Sequence, residues 1–215
     1  MSRIILSYKK PVAIITQSGG LEEKLEKVVE RNFSQLSSAH NLISQQEAIA
    51  LLKPSTLLIM VDHHSLSQSN AQDVIKEVGK IAIIDHHRRT SDFKFNPALA
   101  YIETAFSSTC EIVTELFLYQ RKSINLTELE ATIMYAGILI DTNHFRVRSG
   151  SRTFEAVAQL RKLKANPQLA DSFMKDTFEE FELKSDILSR AQLIENFVII
   201  SYDDQIVSRT MISQV

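Results

Sequence analysis

Two stretches decide the fold: TLLIMVDHH, residues 56–64, and IAIIDHHRR, residues 81–89. Each runs from an unbroken apolar tract into the same Asp-His-His triplet. An apolar run of about four to eight residues, with no polar alternation, is the pattern of a strand covered on both faces, as in a parallel sheet. Between the two runs, NAQDVIKEVGK has helical spacing up to Gly79. Strand, helix and strand at this spacing make a βαβ unit. In an open parallel sheet, ligands collect at the carboxyl ends of the strands, so Asp62 and Asp85 are expected at one edge.

Working outward, the first twenty residues predict two short strands around Pro11, and LEEKLEKVVERNFSQL from Leu21 predicts a charged surface helix. Three Ser/Thr-x-x-Glu signatures mark helix starts: Ser44 with Glu47, Ser108 with Glu111, and Thr127 with Glu130. SRTFEAVAQLRKL is a further helix, and NFVIISYDD returns to strand after a charged helical stretch. The expected class is α/β, a mostly parallel sheet with helices on both faces, followed by a helical linker. The expected division is an incomplete first domain over 1–166, the linker over 167–195, and the start of a second domain over 196–215.

The composition, 44% hydrophobic and 23% charged over 215 residues, is that of a globular protein. A net charge of −2 lacks the basic excess needed to grip a long nucleic acid, so a small ligand is expected. Cys110 is the one cysteine. It excludes an intrachain disulfide and a zinc-thiolate cage, reads as a buried structural thiol, and suits a reducing compartment, the cytoplasm. No tract approaches the roughly 18 apolar residues of a membrane span, and the N-terminus lacks a signal-peptide core.

A third carboxylate, Asp141, closes the apolar run MYAGILI and precedes Thr142, Asn143 and His144. Placing an acid beside apolar segments is costly unless it is paired or binds a cation. Taken singly, each acid reads more readily as a cap or turn residue than as a metal ligand. Together, three acids and several imidazoles form a donor set for a divalent ion such as Mn²⁺, Fe²⁺ or Zn²⁺. Two such ions about 3.5–4 Å apart would clamp a phosphodiester. Arg88 and Arg89, and Arg146, Arg148 and Arg152 around Gly150, are either phosphate contacts or surface charges. The helix start at Ser107 and Ser108 is either an anion site or a simple cap. The charged stretch from Asp176 to Arg190 reads as a solvated face.

In that order, LLIMVDHHSLSQS, IAIIDHHRR, SSTCEIVTEL, AGILIDTNHFRVRSGSRTFEAVAQLRK and the helical linker resemble the DHH phosphoesterases, nearest to the cyclic-di-AMP phosphodiesterases of the GdpP type and related to the RecJ nucleases. The resemblance runs from about Leu21 to the C-terminus. It implies a metal-dependent hydrolase in which Asp62 bridges two Mn²⁺ ions while His86 and Asp141 bind one of them. Asp85 and His87, with His64, would orient ligands or touch phosphate. Weaker substrate contacts fall on Arg88, Ser107, Ser108 and Arg148. Three departures are visible. His63 stands where the family has Thr, the family's first motif of a His and two Asp is absent, and so is most of the DHH-associated domain. One well-formed Mn²⁺ position is therefore expected, in a fragment with little activity alone. The implied substrate is a cyclic dinucleotide or a short oligonucleotide. A partner chain would supply the missing motif, or a homodimer would form. Two other readings stay open: a non-catalytic binding remnant, and a RecJ-like or oligoribonuclease-type nuclease.

Overall fold

A computed structural model describes residues 1–16, 28–69, 71–89 and 96–202. It divides into two compact units, Met1–Phe173 and Met174–Val215. The first helix, α1, spans Ser2–Ser7. Strand β1 is Ala13–Ile15, α2 Phe33–Ala39, β2 Asn41–Ile43, α3 Gln45–Ala50, β3 Leu58–Val61, α4 Gln72–Glu77, β4 Ile81–Asp85 and β5 Leu99–Ile102. Helices α5 Thr109–Leu118, α6 Glu128–Asp141, α7 Ser151–Lys162 and α8 Pro167–Phe173 complete the first unit.

Strands β3, β4 and β5 form a parallel sheet with β4 in the middle, in register through Met60↔Ile83 and Ile84↔Tyr101. The central position explains why IAIID carries no polar alternation: from Ala82 to Asp85 every residue is buried. The two faces are nonetheless distinct. Met60 and Ile83 pack with Ile75 of α4 on one side, while Ile84 packs with Phe106, Ile112 of α5 and Ile59 on the other. Helices thus cover both faces, as the apolar runs predict. A second parallel pair, β1 and β2, joins Ala13 to Asn41 and Ile15 to Ile43.

Two local expectations change. The residues before Pro11 form helix α1, not a strand, because the β-leaning Ile-Ile-Leu run is overruled by tertiary anchors. Arg3 Nε donates to Glu130 Oε1 at 2.7 Å, and Ser2 Oγ lies 2.7 Å from His40 Nδ1. His40 Nε2 in turn bonds the same Glu130 oxygen. The sequence pattern does not predict strand β5: LAYI follows Pro97 and is too short to show a period. The helix predicted from Leu21 begins outside the described residues. Its later part is helical at 28–31, and α2 follows.

Capping boxes form at Ser44–Glu47 and Thr127–Glu130 as the pattern predicts. At α5 only half of one forms: Ser108 Oγ accepts from Glu111 N–H at 3.0 Å. The Glu111 carboxylate is drawn instead to the Ser107 N–H and hydroxyl and to Thr153 Oγ1, across to α7. Helices α5 and α6 approach closely at Gly137, where an added Cβ would stand 2.5 Å from Cys110 Sγ. That approach requires glycine.

Burial raises the pKa of Glu130, but Arg3, the Thr127 N–H and hydroxyl, and His40 outweigh it and hold the carboxyl below its ordinary value. A folded-state pKa below the unfolded one means that this stability is present above the ordinary glutamate pKa and lost as pH falls through the depressed value. Thermal melts between neutral and acid pH should therefore show a fall that Glu130→Gln flattens. The variant should already be about 1–3 kcal/mol less stable at neutral pH.

In the second unit, Thr177 and Glu180 form a capping box at the start of α9, Phe178–Ser189. Strands β6, Gln192–Ile194, and β7, Phe197–Ile199, form an antiparallel hairpin. Ion pairs Lys184–Asp176 and Arg190–Asp186 lie along the helix. Residues 203–215, most of the predicted second-domain start, lie outside the described residues. No helix among the described residues is long and apolar enough to cross a membrane.

Candidate metal centre at the carboxyl ends of the strands

The residue after β3, Asp62, continues the ladder through its N–H to the Ile84 carbonyl at 3.0 Å. It then turns the chain with φ 70°, in the left-handed region that Asp and Asn tolerate best. Its side chain is 55% exposed. One strand over, Asp85 ends β4 and is fully buried. Four groups meet its carboxylate: His64 Nδ1 at 2.5 Å on Oδ2, and His86 N–H at 2.7 Å, His87 N–H at 3.2 Å and His87 Nδ1 at 2.8 Å on Oδ1. Burial pushes this carboxyl up, but the bonds from His64 and His87 outweigh burial and leave it below its usual value. An ionised carboxylate only accepts, so Nδ1 of both His64 and His87 carries the proton.

His86 is the centre of the arrangement. Its Nε2 stands 3.5 Å from Asp62 Oδ1 and 3.7 Å from Asp141 Oδ2, and it is buried with no hydrogen-bond partner. Burial lowers the pKa of this ring, and His87 lowers it further, against the opposing pull of Asp62, Asp85 and a backbone bond with Phe106. The neutral ring therefore turns a lone pair toward two carboxylates. That arrangement is repulsive unless a cation lies between them. Two donors each about 2.1 Å from one ion at a tetrahedral angle stand about 3.4 Å apart, so the observed spacings fit a divalent ion. Among the described residues, Asp62, His86 and His87 also bring ligand atoms within 4.8 Å of one another.

Asp141 reaches the site as the last residue of α6. A carboxylate at a helix C-terminus opposes the macrodipole, a placement that a nearby cation relieves. Thr142, fully buried, anchors the turn that follows: its hydroxyl donates to Ile138 at 2.7 Å and accepts the Phe145 N–H at 3.0 Å. Residues Asn143, His144 and Phe145 all have positive φ.

The structure thus brings Asp62, His86, Asp141, Asp85, His87 and His64 to one edge. It places His87 among the potential donors as well as beside Asp85, a role the sequence does not show because it depends on the bond to Asp85. Arg88 and Arg148 are exposed. Ser107 and Ser108 are buried, and their hydroxyls are engaged with Glu111. The Cys110 thiol is pushed up to about 12 by burial and then by the charges of Asp62 and Asp141, so it stays protonated.

A model of the DHH family N-terminal domain matches residues 6–138. The chain belongs to the DHH family. Its Asp and His cluster accords with the metal dependence of DHH phosphoesterases. The DHH chain is 32% identical over 203 residues to the cyclic-di-AMP phosphodiesterase GdpP of Geobacillus thermodenitrificans, covering 94% of this chain and 31% of that protein. It is 39% identical over 164 residues to the GdpP of Bacillus subtilis, covering 76% and 24%. The chain therefore spans about a quarter to a third of the length of these relatives. An exopolyphosphatase-related protein from Bacteroides fragilis shares the DHH fold with a TM-score of 0.75 at 18% identity, over 94% of this chain and 59% of that one.

Proposed function

We propose that the site is the catalytic centre of a metal-dependent phosphodiesterase acting on cyclic-di-AMP or a related dinucleotide. The observation that carries this reading is the buried, unpartnered Nε2 of His86 held between the carboxylates of Asp62 and Asp141. Asp62, His86 and Asp141, with His87 alongside, would hold the ion. Oxygen and imidazole donors without a thiolate suit Mn²⁺. When bound, a divalent ion there supplies Lewis acidity and an acidified water for attack on phosphorus. The protein's own part is orientation: Asp85 fixes the His87 tautomer and the backbone at His86, and His64 locks Asp85 from behind. Arg88 and Arg148 would offer positive charge to the phosphates. The net charge of −2 favours a dinucleotide over a polymer.

Anion-exchange chromatography of cyclic-di-AMP incubated with the protein, in Mn²⁺ and in EDTA, tests this reading. The expected result is Mn²⁺-dependent binding with slow conversion to linear dinucleotide or mononucleotide. Binding without conversion would mark the non-catalytic alternative. Preferential cleavage of linear oligonucleotides would mark the nuclease. The absence of both binding and conversion would refute the proposal.

A further inference from the structure

Glu111 is one of the largest fully buried side chains, and nothing in the site described above uses it. Its Oε2 collects three donors: the Ser107 N–H at 3.1 Å, the Ser107 hydroxyl, and the Thr153 hydroxyl at 3.0 Å. Thr153 Oγ1 also accepts the Gly150 N–H at 3.1 Å, which ties the carboxylate to the start of α7. Helix α5 does not need this side chain for its cap, since Ser108 Oγ already accepts the Glu111 N–H. Burying a carboxylate is costly, so its place calls for another reason.

The Ser107 N–H belongs to the same peptide unit as the Phe106 carbonyl, and Phe106 is the residue that His86 meets through a backbone bond. Nε2 of His86 has no partner, so the ring nitrogen on Phe106 is Nδ1. A carbonyl only accepts, so Nδ1 carries the proton and the lone pair stays on Nε2. Two further contacts hold this peptide beside His86. The Glu103 N–H donates to the Asp85 carbonyl at 3.0 Å, and the buried Phe106 packs with Ile84 of β4 and Ile112 of α5. A trans peptide is planar, with its N–H and C=O on opposite edges, so Glu111 and His86 grip the two edges of one plane. Hydrogen bonds joined in series polarise one another, and a carboxylate at the N–H edge makes the carbonyl a stronger acceptor.

We infer that Glu111 is a positioning residue for the metal centre: through the Phe106–Ser107 peptide it fixes the proton of His86 on Nδ1 and keeps Nε2 free for the ion. Metal-binding histidines hand their other N–H to a carboxylate or to a backbone carbonyl. Here the two partners are joined in series. The effect on binding rests on the proposed metal-site reading, whereas the position of the His86 proton is read on the metal-free protein.

Long-range proton–nitrogen NMR correlation of the metal-free chain reads which nitrogen of His86 carries the proton, and electron paramagnetic resonance titration of Mn²⁺ reads affinity. Thermal melts accompany both. Glu111→Gln keeps an acceptor oxygen of the same reach but removes the carboxylate. Thr153→Val loosens the same carboxylate from α7 without touching the Ser107 peptide. The wild-type chain should carry the His86 proton on Nδ1 alone. Glu111→Gln should move that proton resonance upfield, admit the other tautomer, and weaken Mn²⁺ binding by about tenfold. Thr153→Val should lower the melt while leaving the His86 proton and the Mn²⁺ affinity as in wild type. Unchanged His86 signals and affinity in Glu111→Gln overturn the inference, as does a wild-type proton on Nε2. An equal change in Thr153→Val also overturns it, by making Glu111 a general brace of the fold. No saturable Mn²⁺ binding in the wild-type chain, with the His86 proton responding as expected, would overturn the metal-site reading and leave the Glu111 link standing. If Glu111→Gln does not fold, Glu111→Asp decides, since it keeps the charge but is one methylene short of the Ser107 N–H: a shifted His86 proton supports the inference, and an unshifted one overturns it.

Discussion

Asp62→Asn is expected to remove tight Mn²⁺ binding from the protein while leaving its fold intact. The carboxylate is 55% exposed, and its visible contact is the 3.5 Å approach to His86 Nε2. Its structural contribution comes through the backbone, in the N–H bond to Ile84 and the φ of 70°. Asparagine keeps both, since it visits the left-handed region almost as readily as aspartate. What it loses is the negative charge that makes the gap between Asp62, His86 and Asp141 attractive to a cation. Removing a partner outside the ligand shell typically costs 10–100-fold in metal affinity, so loss of a ligand charge should exceed about 100-fold. Mn²⁺ titration together with the melt of the metal-free variant measures both halves. A variant that still binds tightly would place the ion elsewhere, and one that unfolds would make Asp62 a structural residue.

Asp85→Asn should show the opposite profile, with a large loss of stability as well as of metal binding. The carboxylate is fully buried and accepts from four groups, two of them imidazoles. Asparagine offers one acceptor oxygen and turns an NH₂ donor toward groups that are themselves donors. His64, only 1% exposed, would lose its acceptor. Breaking a buried pair in this way costs about 3–5 kcal/mol, a large share of the about 5–15 kcal/mol that stabilises a domain. Urea denaturation of the metal-free protein should show the midpoint falling sharply, and Mn²⁺ affinity should drop by about 10–100-fold because His86 and His87 lose their orienting bonds. A midpoint within error of wild type would contradict the network described around Asp85.

The contrast between the two aspartates shows what the sequence could carry. Both were readable as strand-end acids because the apolar runs before them are continuous, and continuity is the mark of a strand buried on both faces. Asp141 was readable as the end of an apolar segment that the Thr127–Glu130 box opens. Which acid faces a metal and which serves as a buttress was not readable from spacing, since it depends on Asp85 meeting His64, twenty-one residues earlier. Helix α1 escapes the sequence pattern for a similar reason: Arg3 is tied to Glu130, 127 residues away in sequence, and local β-propensity carries no trace of that bond. The Glu111 carboxylate matched a capping-box pattern yet serves Ser107 and Thr153, because buried hydroxyls and an N–H compete for it.

The proposed function stands on a divalent cation enclosed by His86, Asp62 and Asp141. The most direct test is an anomalous difference map from crystals of the protein grown with Mn²⁺. A strong peak is expected about 2.0–2.3 Å from His86 Nε2, flanked by the Asp62 and Asp141 carboxylates. A map at saturating Mn²⁺ with no peak beside His86 Nε2 would contradict it.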